Sequence, residues 1–335
     1  MSRTAAAGGV TTLGLGHCPL VLGECVQGRL RDRGHFLITA PVNTFSWAEF
    51  APDPALGRVV VDPPERTKSL AAVTRFLSAA GRPASGALKV FTPVRPGLGF
   101  GTSTADITAS IRAAAAAWGE VAAPEVISAI ATTLEPTDGS MYPGSVAFDH
   151  RRGLLLERLG PLPLFYALVV CAGSEVDTVA YDACRKDYLY SPDDERELRL
   201  AWDMVRHAAR TQDLSVLASA CTLSARINEQ LLPKPYFHEM YEFMELTGLE
   251  GLIVGHSGAL LAFLLDPSCP GFFEKLDQTR KFASDLCTGG WLEISNSQLA
   301  RESRWGARRC EEAGAALAGQ AAGAATPAER ATPWP

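Results

Sequence analysis

Between Pro93 and Asp106 the chain reads Pro-Val-Arg-Pro-Gly-Leu-Gly-Phe-Gly-Thr-Ser-Thr-Ala-Asp. Gly97, Gly99 and Gly101 fall at alternate positions, where a loop can take positive φ and turn bare backbone N–H groups toward an anion. Thr102, Ser103 and Thr104 then place hydroxyls at the start of an Ala-rich helical pattern. The unpaired amides and partial positive charge of such a helix start favour a phosphate. Ser103 and Asp106 have capping-box spacing, with Asp in place of Glu. Arg95 can neutralise phosphate charge or simply face solvent. Two common phosphate loops do not fit. There is no Gly-Lys-Ser/Thr, and the dinucleotide fingerprint needs a third glycine where Thr102 or Thr104 stands, so a hydride-transfer enzyme is a distant reading.

Three more stretches hold chemistry-bearing types. Glu135-Pro136-Thr137-Asp138 sets two acids three residues apart after a helical segment. If a triphosphate is bound nearby, such a pair can supply a Mg2+ ligand and a group that accepts a hydroxyl proton; otherwise it is an acidic turn. Gly255-His256-Ser257-Gly258 is a tight turn carrying a hydroxyl and an imidazole. Lys234, between Pro233 and Pro235, sits in a stiff loop where it can meet a carboxylate or face water. The acidic run from Asp193 to Glu197 reads as a solvated helix start.

The elements that must position these residues follow from periodicity and turn chemistry. Strands are expected over Cys18–Leu22, ending at the Gly23-Glu24 turn, and over Gly34–Thr39, Thr44–Phe50 and Arg58–Val61. A helix from about Pro64 to Ala80 and a strand from Ala87 to Thr92 lead into the glycine loop. A second helix, near Pro124–Leu134, precedes strands at Ser145–Phe148, Gly153–Arg158 and Pro163–Val170. Helices over Asp193–Ala209, Leu214–Gln230 and Tyr236–Thr247 follow. The last elements are strands at Gly251–Gly255 and Ala259–Leu265, a helix at Gly271–Leu286 and a strand at Gly290–Ser295. The pattern predicts an α/β (α+β) protein with a loose leader over 1–15 and halves at 16–160 and 161–312. An Ala/Gly/Pro-rich tail over 313–335 reads as disordered.

At 335 residues with 47% hydrophobic and 20% charged side chains, the chain has the composition of a soluble globular protein. A net charge of −6 argues against nucleic acid or an anionic membrane as partner. No apolar run is long enough to span a bilayer. The eight cysteines form no C-x-x-C pair, which predicts reduced thiols in a cytoplasmic protein without zinc.

The glycine loop, its hydroxyls and its helix resemble the second motif of the GHMP kinases, Pro-x-x-x-Gly-Leu-Gly-Ser-Ser-Ala. Gly97-Leu98-Gly99 matches the spelling, and Gly99-Phe100-Gly101-Thr102-Ser103-Thr104-Ala105 matches the spacing to the helix. Gly23-Glu24-Cys25-Val26-Gln27-Gly28 stands where these kinases carry their first motif, and Gly255-His256-Ser257-Gly258 where they carry their last. Together with Glu135-Pro136-Thr137-Asp138 and Leu232-Pro233-Lys234-Pro235, these motifs resemble the L-threonine kinase branch over roughly residues 16 to 300. The resemblance implies a two-domain fold, with a ribosomal-S5-domain-2-like N-terminal half that binds nucleotide and a ferredoxin-like C-terminal half. It implies ATP and Mg2+ as cofactors, transfer of the γ-phosphoryl group to L-threonine, and a product used in the aminopropanol arm of cobalamin. By family position, amides and hydroxyls from Gly97 to Thr104 hold the triphosphate, and Ser103 and Glu135 hold the metal. Glu24 and Asp138 orient or deprotonate the acceptor hydroxyl, and Glu24, Lys234, His256, Ser257 and Gly258 line the substrate site. A homodimer is compatible with the resemblance. A different hydroxy amino acid or secondary-metabolite precursor, or a non-catalytic binding homologue, remains open because Gly-Phe-Gly-Thr departs from the family wording.

Overall fold

The computed structural model describes residues 12–170, 190–256, 259–287 and 291–296. Ser257, Gly258, the tail over 313–335 and most of the expected leader lie outside the described residues. β1 (Gly14–Leu30) and β2 (Gly34–Pro52) form a long antiparallel pair that runs from Gly14 opposite Phe50 to Leu30 opposite Gly34. This corrects the expected turn at Gly23-Glu24. Gly23 takes φ +56° inside β1, the register shifts around it, and the strand continues because Cys25, Val26 and Leu30 beyond it are core residues. β2 likewise unites the two strands expected at Gly34–Thr39 and Thr44–Phe50.

On one side, β4 (Gly86–Phe91) pairs with β2, and β3 (Val59–Asp62) runs parallel to β4. β5 (Ser145–Asp149) bonds to β2 at Leu37 and Ile38 and to β6 (Leu154–Gly160). On the other side of β1 lie β8 (Gly251–Val254), β9 (Leu261–Leu265), β7 (Tyr166–Val170) and β10 (Trp291–Ser295) in spatial order. The β1–β8 contact is a short one, with Glu24 opposite Val254. It joins strands from both ends of the sequence into one sheet, with the middle of β1 at the junction.

α1 (Thr67–Ala79), α2 (Thr102–Ala116) and α3 (Pro124–Thr132) belong to the first half of the chain. α2 lies so close to β1 that a Cβ on Gly14 or Gly16 would come within 2.1 or 2.2 Å of the Ala113 or Ala109 carbonyl oxygen. This contact explains Gly14 and Gly16, where no larger side chain has room against α2. α4 (Pro192–Thr211) begins at a capping box in which Ser191 and Asp194 bond reciprocally, so the acidic run is a helix start as expected. α4 and α5 (Leu214–Glu229) cover the far end of β1, where Gly28 makes room for Leu198. α6 (Phe237–Thr247) and α7 (Phe272–Leu286) pack on β7–β10 around a smaller core containing Leu168, Met240, Leu252 and Phe263. Among the described residues no helix is long and apolar enough to cross a membrane.

Candidate active site

A cleft of about 470 Å³ opens where β1, the β4–α2 loop, the start of α1 and the segment after α3 converge. Its size is that of a small-molecule site. The floor is the glycine loop. Gly97, Gly99 and Gly101 have φ of +86°, +99° and +62°, the left-handed values the sequence anticipates. Phe100 between them is buried, and its carbonyl accepts from the Val21 N–H at 3.1 Å, anchoring the loop to β1. Gly101 is the N-cap of α2, and no side chain caps the helix.

The expected Ser103/Asp106 capping box is absent. Ser103 Oγ donates instead to Glu135 Oε1. Asp106 turns inward, where Oδ1 accepts from Ser46 Oγ at 2.6 Å and from Thr92, and Oδ2 pairs with Arg66 Nη1 at 2.8 Å. Burial raises the Asp106 pKa, and Ser46, Thr92 and Arg66 oppose that rise. With Asp106 committed elsewhere, no side chain caps the first amides of α2, whose residues Thr102, Ser103 and Thr104 line the cleft.

The segment after α3 forms the opposite wall. Glu135 takes Ser103 on one carboxylate oxygen and Lys68 Nζ on the other. Thr137 Oγ1 meets Thr104 Oγ1 at 2.9 Å, and the Thr137 N–H donates to the His150 carbonyl at 3.0 Å. Thr104 is thus a brace between α2 and the acidic segment. Asp138 Oδ1 accepts from the Ser140 N–H at 2.8 Å. Its other oxygen lies 2.6 Å from where a Cβ on Gly101 would stand, so only glycine fits there. Burial raises the Asp138 pKa, opposed by the bonds from Ser140 and Thr104.

Glu24, 5% exposed, enters the same cleft from the bulged middle of β1, together with His150 and His256. Gln27 Oε1 accepts from His256 Nδ1 at 2.8 Å, and the His256 and His150 rings meet edge-on at 4.8 Å. Gly255 brings the turn after β8 against the glycine loop; a Cβ there would stand 3.5 Å from Gly99 Cα. Glu24, Gly97, Gly99, Gly101, Thr102, Ser103, Thr104, Glu135, Asp138 and His256 therefore share one cleft. Lys234 is not among the residues lining it: it is buried between α5 and α6, where its backbone N–H donates to Glu229 at 2.9 Å. Arg95 is exposed on the loop and also off the lining. Sequence reasoning did not find Arg66, Lys68 or His150. The first two had a signal, a basic pair at a helix start just after two prolines; His150, at the end of β5, had none.

The oxygen donors of Ser103 and Glu135 suit a hard divalent cation such as Mg2+. No group of three or more His, Cys, Asp or Glu among the described residues is placed to cage a metal. A cation held here would take much of its coordination from bound phosphate and water, the usual arrangement for Mg2+ in nucleotide sites.

No protein-family model matches the chain. An L-threonine kinase from Salmonella typhimurium is 30% identical over 254 residues, 74% of this chain and 82% of the relative. A second, from Citrobacter freundii, is 29% identical over 259 residues, 76% and 87% of the two chains. Among solved structures, a Methanococcus jannaschii mevalonate kinase superposes with a TM-score of 0.63 at 11% identity, covering 86% of this chain and 98% of that one. A homoserine kinase from Cytophaga hutchinsonii gives 0.62 at 14% identity, covering 89% and 97%. At that distance the structural likeness is one of fold.

Proposed function

The chain belongs to the GHMP kinases, in their L-threonine kinase branch, and from that membership we propose that it transfers the γ-phosphoryl group of ATP to the side-chain hydroxyl of L-threonine, giving O-phospho-L-threonine and ADP. The observation that carries this reading is the Ser103–Glu135 contact at the uncapped start of α2, in the same cleft as Glu24 and Asp138.

In this mechanism the amides from Gly99 to Thr104 cradle the triphosphate, with Gly97 shaping the loop ahead of them. Ser103 Oγ and the Glu135 carboxylate would hold Mg2+, which would supply positive charge against the phosphates. Glu24 orients the acceptor hydroxyl. The threonine oxygen forms its bond to the γ-phosphorus as the bond to the β,γ-bridging oxygen breaks, and ADP leaves. The hydroxyl proton passes to Asp138. A carboxylate whose pKa is raised by burial is a better proton acceptor near neutral pH than a solvated one, provided it is ionised when the hydroxyl arrives. Positioning carries much of the remaining acceleration, because phosphoryl transfer leaves little covalent chemistry to the protein. His256 borders the acceptor.

The reading is tested with labelled ATP and a panel of threonine, serine, homoserine and allo-threonine. L-Threonine should give the highest kcat/KM. A higher value for another member of the panel would move the substrate, and ADP release with none of them would favour a non-catalytic binding protein.

A further inference from the structure

A triphosphate carries more negative charge than one divalent cation cancels, so a cleft that binds it needs cationic side chains as well. Among the described residues lining the cleft, the Lys and Arg side chains are Arg66 and Lys68, both from the start of α1. Arg66 is committed: its side chain is 16% exposed and pairs with an Asp106 side chain that is 4% exposed. Lys68 is not committed in that way. Its side chain is 51% exposed, and its ammonium meets Glu135, the acid whose other oxygen takes Ser103. An ion pair that open to water contributes little to stability.

Lys68 therefore sits where two demands meet. Both oxygens of Glu135 are engaged, one by Lys68 and one by Ser103, and a divalent cation drawn to that carboxylate repels the ammonium already on it. The four-carbon stem of lysine is flexible and its ammonium is a compact donor with rotatable N–H groups, so it can move to a neighbouring anion without moving α1. We propose that Lys68 alternates between Glu135 and the γ-phosphate of bound nucleotide, screening the acid in one position and holding the transferring group in the other. This rests on the kinase reading above, and it makes Lys68 a nucleotide-binding residue rather than a fixed surface pair.

The test is titration calorimetry of the full chain with AMP-PNP and with ADP, each with Mg2+ and in EDTA, comparing the parent with Lys68→Gln and Lys68→Arg. Lys68→Gln should weaken AMP-PNP by roughly 10-fold, the scale of one charge-assisted contact, in both conditions. ADP should weaken much less, and Lys68→Arg should restore most of the loss. Thermal melts confirm that each variant folds. A permanent Lys68–Glu135 pair predicts the reverse: AMP-PNP unchanged, or tighter with Mg2+ once Glu135 is unencumbered. Unchanged affinity, or an equal loss for both nucleotides, overturns the proposal. If the parent binds neither nucleotide, it is the kinase reading that fails.

Discussion

Ser103 and Asp138 show how much meaning a single side chain carries in this cleft. Ser103 touches Glu135 at the mouth of α2 and is only half-buried, so Ser103→Ala should leave the melting temperature nearly unchanged. Its kcat should drop by roughly 100-fold, the scale for removing one preorganised transition-state contact. Steady-state kinetics alongside a thermal melt measure the two together, and equal turnover in variant and parent would remove Ser103 from the mechanism. Asp138 makes a prediction about pH. Burial raises its pKa above the ordinary 3.8, so between those values the folded protein holds a proton that the unfolded chain has released. Stability then falls as pH rises through that window, and Asp138→Asn should flatten the slope in urea titrations across the series. Part of the slope should remain, because the Asp106 carboxyl is raised in the same direction. The sequence marked Ser103, Glu135 and Asp138 through short local motifs whose roles the family resemblance supplied. It misread Asp106 as a cap, because its real partners, Ser46, Thr92 and Arg66, come from β2, the β4–α2 loop and the start of α1.

At the scale of elements, the site depends on glycines that let chain segments approach and on one buried ion pair that ties two helices. Gly101 has φ +62°, and a Cβ there would stand 2.6 Å from Asp138 Oδ2. Gly101→Ala should therefore cost about 1–3 kcal/mol in a urea titration and weaken nucleotide binding at the same time. Gly57 also has positive φ but has open space around it, and Gly57→Ala should leave nucleotide affinity unchanged. Arg66→Ala would strand Asp106 without its ionic partner, between α1 and α2. It should destabilise by about 3–5 kcal/mol, whereas Arg196→Ala, which breaks an exposed pair with Asp193, should cost about 0–1 kcal/mol. Helix and strand types along the chain were legible from periodicity, including the strand–glycine loop–helix unit at the heart of the site. The bulge at Gly23 was not. A glycine followed by a glutamate reads locally as a turn, and only the burial of the residues beyond it, together with pairing to β2 and β8, keeps the strand running.

For the whole molecule, the cleft draws on segments from residue 24 to residue 256, brought together because β1 pairs with β2 on one side and β8 on the other. Motif order in the sequence shows that these segments belong together. It cannot place Lys234 off the cleft or bring Lys68 and His150 into it, since those positions follow from how α1, β5 and the α5–α6 loop dock. Because the site draws on segments lying on both sides of β1, nucleotide should stabilise the molecule as a unit. At a hundredfold excess over Kd, Mg2+ and AMP-PNP should add about 2.7 kcal/mol and raise a single calorimetric transition rather than one of two. The central claim, that a cradle of main-chain amides facing Ser103, Glu135 and Asp138 moves a phosphoryl group onto a small amino acid, is tested most directly by phosphorus NMR of the purified protein with ATP, Mg2+ and L-threonine. The account predicts a phosphomonoester resonance, identified as O-phospho-L-threonine by mass, growing in step with ADP and absent when threonine is omitted. ATP left intact, or ADP accompanied only by inorganic phosphate, would contradict it.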